Sequence, residues 1–85
     1  MTDRYELRDG VILGRDVSIG RGSVIKENVV IGDGSFIGAG VVVDEGAKIG
    51  KGVYIWNNTV IRSGVSIGDR TVIGHLVLIE AETVI

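Results

Sequence analysis

Every sixth residue of the chain is a large aliphatic, from Met1 through Leu7, Leu13 and Ile19 to Ile79 and Ile85, without interruption. Call that position i. Four places on, the residue is small or β-branched: Val11, Val17, Ser23, Val29 and onward to Val77 and Thr83, with only Tyr5 large. A six-residue period fits neither an α-helix nor a long alternating strand. It does fit a short strand followed by a two-residue corner. Positions i+4 and i then share the inner face, i+5 and i+1 face outward, and i+2 and i+3 turn the chain. At i+3 stand Gly10, Asp16, Gly22, Asn28, Gly34 and residues like them, which tolerate the positive φ of a tight corner. The chain has no proline, as expected if each strand N–H bonds to a neighbouring coil.

Composition sets outer limits. The 85 residues, none of them cysteine, are expected to form one domain, 1–85, with no disulfide or cysteine-held zinc to supplement the core. A net charge of −2 and the lack of any Lys/Arg block argue against a nucleic-acid partner. No apolar run approaches the ~20 residues of a membrane span, and the N-terminus has no signal pattern. The expectation is a soluble, cytoplasmic protein with no membrane partner.

Runs such as Ile31-Gly32-Asp33-Gly34-Ser35-Phe36 and Ile49-Gly50-Lys51-Gly52-Val53-Tyr54 resemble the hexapeptide-repeat, or isoleucine-patch, signature. The resemblance covers the whole chain. It implies an all-β fold, a left-handed parallel β-helix of triangular section with three hexads, or 18 residues, per coil and about 4.7 coils. The left hand departs from the usual right-handed crossover and comes from the resemblance alone.

A period of 18 sorts the outward residues into columns. On the first side Val24, Val42, Val60 and Leu78 stand above Glu6, beside a charged column of Arg8, Lys26, Asp44, Arg62 and Glu80. The second side shows Ile12, Val30, Lys48 and Ser66 beside glycines. The third shows Phe36, Tyr54 and Val72, with Trp56 interrupting the column Gly20, Gly38, Gly74. The aliphatic ladder has two readings: β-branched residues suit strands whichever way they face, or the ladder is a subunit interface. The resemblance implies a homotrimer, which places its contact on Val24, Val42, Val60 and Leu78. Open strand edges at the two ends also suggest end-to-end stacking of prisms. The last coil is expected to be looser, because Arg70, Leu76 and Glu82 stand where glycines would turn the corner.

The one histidine, His75, occupies corner position i+2, and Asn57 lies one coil below it, flanked by Trp56 and Asn58. An imidazole titrates near neutral pH and suits a general base; the bland alternative is an exposed turn histidine with no task. The resemblance implies the base. Acyltransferases of this superfamily often use a corner histidine to deprotonate an acceptor for attack on an acyl thioester. The segment Gly74-His75-Leu76-Val77-Leu78-Ile79 is similar to a stretch of some sugar acetyltransferases. On that basis His75 is the expected catalytic residue, with Asn57 and Asn58 orienting substrate and Trp56 and Tyr54 forming a wall. The co-substrate is acetyl-CoA or another acyl-CoA, the acceptor a sugar or other small hydroxyl or amine compound, and no metal takes part.

Other features are simpler. The Gly-x-Gly pairs are slots of the repeat, with no helix following to hold phosphate. Asp9, Glu27 and Glu45 form an acidic column, read as a solvated edge rather than a cation site. The repeat shows no inserted loop and no added helix, both frequent in the related enzymes. That favours the alternative, a non-catalytic β-solenoid for scaffolding or oligomerisation, or the β-helix part of a larger enzyme such as a sugar nucleotidyltransferase.

Overall fold

The computed structural model describes residues 4–85, so Met1, first of the aliphatic series, lies outside the described residues. All regular structure is β: thirteen strands, each two or three residues long. Every strand pairs in parallel with the strand 18 residues on, as in Val24 with Val42 and Phe36 with Tyr54. Three parallel sheets result, one per side. The first has five strands (Tyr5–Leu7, Ser23–Ile25, Val42–Val43, Val60–Ile61 and Leu78–Ile79), and the second and third have four each. The fold is a parallel β-solenoid of 18 residues per coil, as the hexapeptide-repeat resemblance implies.

The two inward positions of each hexad fill the prism. Ile25, Ile31, Ile37, Ile55 and Ile61 are at most 1% exposed, and Val29, Val41, Val53 and Val65 are fully buried beside them. Burying one such side chain contributes ~1.5–3 kcal/mol. Three of the polar inward residues are buried, and the hydroxyl of each is fully used. Ser23 Oγ donates to Gly38 O at 2.7 Å and accepts the Val41 N–H at 3.0 Å. Thr59 Oγ1 likewise donates to Gly74 O at 2.8 Å and accepts the Val77 N–H at 3.2 Å. Ser35 does the same with Gly50 and Val53. Each hydroxyl therefore ties its coil to the next through the core, with no desolvation cost left unmet.

The thirteen i+3 corner residues from Gly10 to Glu82 all have positive φ, between 57° and 79°. These include Arg70, Leu76 and Glu82, so the last coil keeps the corner geometry rather than loosening. The reason lies one coil below. Their N–H groups donate to the carbonyls of Lys51, Asn57 and Ser63 at 2.8, 3.1 and 2.9 Å, and the paired strands on both sides of each corner fix the chain path. Together these outweigh a left-handed cost of ~1–2 kcal/mol per residue. Ile73 and Ile79 remain buried in that coil, each 7% exposed.

On the first side Val24, Val42 and Val60 half-bury one another along their column, and Leu78 alone is exposed. The adjoining charges pair along the prism axis. Asp44 bridges Lys26 Nζ at 3.1 Å and Arg62 Nε at 3.5 Å, while Arg8 Nε meets Glu6 at 2.6 Å. The hydrogen bond to Glu6 is the main cause that raises the Arg8 guanidinium above its ordinary pKa.

Candidate functional site

The corner between the third and first sides gathers the candidate residues. Phe36 and Tyr54 are register partners on the third side, so their outward rings stack, with centroids 5.6 Å apart and planes inclined by 29°. Trp56 stands at i+1, where Gly20, Gly38 and Gly74 stand in the other coils, and its indole fills the space over that flat column. Its centroid lies 5.2 Å from Phe36 and 6.2 Å from Tyr54. The surface ends on His75, whose ring lies 5.5 Å from the indole with planes inclined by 32°. Four rings from three successive coils thus form one continuous face. Phe36 was visible only as a third-side residue; its position 18 before Tyr54 was the signal that it joins the platform.

His75 is exposed, and neither ring nitrogen has a protein partner among the described residues. No carboxylate orients the imidazole among the described residues, and its ring neighbour is the tilted Trp56 indole. An exposed histidine beside an indole is able to accept a proton from a bound hydroxyl or amine.

Asn57 has a different task. Its Oδ1 accepts the Ala39 N–H one coil below at 3.0 Å. Asp33 and Asp69 do the same for Arg15 and Lys51 at the second corner, at 2.8 and 2.9 Å. The expected substrate-orienting oxygen of Asn57 is therefore committed to the backbone, and only its amide NH₂ is left for a ligand. The asparagine at 58 has φ 60° and is exposed. Corner geometry accounts for its presence, since asparagine tolerates this conformation. Tyr54 and Trp56 are 44% and 36% exposed, so both offer ring surface to solvent.

A concavity of about 270 Å³ lies at the first corner, lined by Arg8, Lys26, Asp44, Glu45 and Ser63. It contains no histidine and no aromatic ring. Among the described residues no group of three or more His, Cys, Asp or Glu is placed to hold a metal ion. Arg8 reaches Glu27 of the acidic column at 4.0 Å.

A β-solenoid built from uninterrupted hexads defines a hexapeptide-repeat protein. Residues 10–45 and 46–81 match the family model described as bacterial transferase hexapeptide (six repeats), and residues 28–63 match that described as hexapeptide repeat of succinyl-transferase. The chain belongs to the bacterial transferase hexapeptide family. Among solved structures it is similar to the acetyltransferase domain of PglB from Neisseria gonorrhoeae FA1090. The TM-score is 0.53, with 19% identity over 95% of this chain, a likeness of fold. The chain spans 50% of the length of that structure. No curated protein sequence matches it.

Proposed function

We propose that the chain is the repeat portion of an acyltransferase that moves an acyl group from acyl-CoA, acetyl-CoA included, to a sugar or other small hydroxyl or amine acceptor. The observation that carries this reading is the exposed His75 imidazole set against Trp56 at the end of the ring platform. His75 takes the proton from the acceptor hydroxyl or amine as that group attacks the thioester carbonyl. The C–S bond then breaks, and the proton passes to the departing thiolate, giving acylated acceptor and free CoA thiol. Trp56 and Tyr54 provide a flat wall for the acceptor ring, and the Asn57 and Asn58 amides supply hydrogen-bond donors. Three copies associate through Val24, Val42, Val60 and Leu78.

The regular 18-residue coils favour one rival reading, a solenoid scaffold without catalysis, since no loop departs from the prism among the described residues. One experiment separates the two. Thiol release from acetyl-CoA is followed with a panel of amino sugars, for wild type and His75→Ala. A loss of about 10²–10⁴ in rate is expected for removing a positioned base. Equal rates, or none in the wild type, leave the scaffold.

A further inference from the structure

At the third corner the turn position is Gly22, Gly40 and Asn58 in successive coils, and then Leu76. Leu76 holds φ 57°, a left-handed conformation that disfavours side chains other than those of glycine, asparagine or aspartate. It is also 79% exposed, so none of that strain is repaid by packing within the chain. Arg70 and Glu82 share the conformation at the other two corners, but their charged side chains gain hydration from exposure. Leu76 alone combines backbone strain with a bare apolar side chain. The Leu76 N–H bond to the Asn57 carbonyl holds the turn, but glycine or asparagine would make the same bond with less strain, so the leucine side chain itself points toward function.

The neighbours indicate which function. Leu76 directly follows His75. Val72, the outward residue of the strand that leads into this corner, is 64% exposed, and Trp56 lies one coil below. The third-side flank of His75 is thus apolar.

We propose that Leu76 is a specificity residue for the acyl group, and that the preferred thioester carries an alkyl chain longer than acetyl. The proposal rests on the reading of His75 as the base of acyl transfer. A thioester carbonyl placed beside His75 starts its alkyl chain next to Leu76. Each methylene laid against Leu76 or Val72 leaves water together with the side chain it covers. Full burial of a methylene corresponds to ~4-fold in affinity, and burial on one face of an open corner to about 2-fold.

The test is calorimetric titration of the whole chain with free CoA and with acetyl-, butyryl-, hexanoyl- and octanoyl-CoA. Wild type, Leu76→Asn and Leu76→Gly are compared, alongside thermal melting. Both substituted residues suit the left-handed corner, so both variants are expected to fold and to melt about 4–8 °C higher. Wild type should bind more tightly by about 2-fold per added methylene. The two variants should bind every thioester within about 3-fold of acetyl-CoA, having lost that gain. A flat series in the wild type, with all thioesters bound, overturns the Leu76 assignment and leaves the acyl-CoA reading standing. An unchanged slope in Leu76→Asn also overturns the assignment. A lower melting temperature in both variants would make Leu76 a packing residue and reject the proposal. Failure of every CoA compound to bind removes both readings together.

Discussion

Asn57 caps Ala39: the side-chain oxygen of the upper residue accepts the backbone N–H of the lower at 3.0 Å, one coil apart. Removing that acceptor by Asn57→Ala should cost ~1 kcal/mol, lowering the melting temperature by about 4–8 °C in a domain of this size. Asn57→Asp should melt close to wild type, because Asp33 and Asp69 perform the same capping elsewhere. Thermal denaturation followed by circular dichroism compares the three. Equal losses for alanine and aspartate would show that the cap contributes nothing.

The cap explains why the coil below carries glycine. A Cβ on Gly38 would overlap Asn57 Oδ1, and one on Gly50 would overlap Asp69 Oδ1 and approach its backbone N at 2.8 Å. Gly38→Ala and Gly50→Ala should each lose ~1–3 kcal/mol through overpacking. Gly74 has open space around it and an ordinary φ, so Gly74→Ala should be neutral or gain ~0.4–1 kcal/mol by restricting the unfolded chain. Urea midpoints measure all three, and a Gly74→Ala loss as large as the others would contradict the close-approach account.

The Thr59 hydroxyl sits in the core with both of its hydrogen bonds made. Thr59→Val keeps the shape but strands the Val77 N–H and the Gly74 carbonyl, at a cost of ~1–3 kcal/mol. Thr59→Ser retains the hydroxyl and loses one methyl, so it should be the milder change. Chemical denaturation of the two variants checks the order, and a valine variant as stable as wild type would mean that water already serves those backbone groups.

Trimerisation through the aliphatic ladder predicts that Val42→Asp, a charge in the middle of the column, yields monomers by light scattering. The half-buried state of Val24, Val42 and Val60 within one chain means that each keeps only part of its apolar surface for a partner. The association should therefore weaken on dilution into the micromolar range. A Val42→Asp trimer would move the interface to another side.

The parts of this fold that depend on period were open to reading from sequence. Alternation within a strand sorted Ile25 inward and Val24 outward, and a step of 18 put Val42 beside Val24, as the strand pairing has it. The parts that depend on what one coil does to the next were less open. Arg70, Leu76 and Glu82 resist the left-handed corner by propensity, which predicts a looser last coil, yet the carbonyls beneath them hold the turn. Propensity gave way there to tertiary hydrogen bonding. Asn57 stood next to the candidate base and drew a ligand role, while its oxygen was satisfied from below. A trace of that lay in the sequence: Gly14 and Asp33, Gly38 and Asn57, and Gly50 and Asp69 share one spacing. The ring platform was half visible, since columns place Phe36, Tyr54 and Trp56 on one side, but the contact of Trp56 with His75 depends on rotamers.

The strict pairing of each residue with the one 18 places on makes this molecule a counting device. Losing one residue between Trp56 and His75 would turn every later side chain inside out. Losing a whole hexad there would leave each aliphatic residue facing inward and the core filled, yet carry His75 round to the next corner, beside Asp33 and Lys51 rather than the indole. Only a loss of three hexads together would return the columns to register. Length can therefore change in this chain by sixes without harm to folding, but even a loss of eighteen between these two residues would set His75 directly after Trp56 in one coil and remove the pairing of ring over ring.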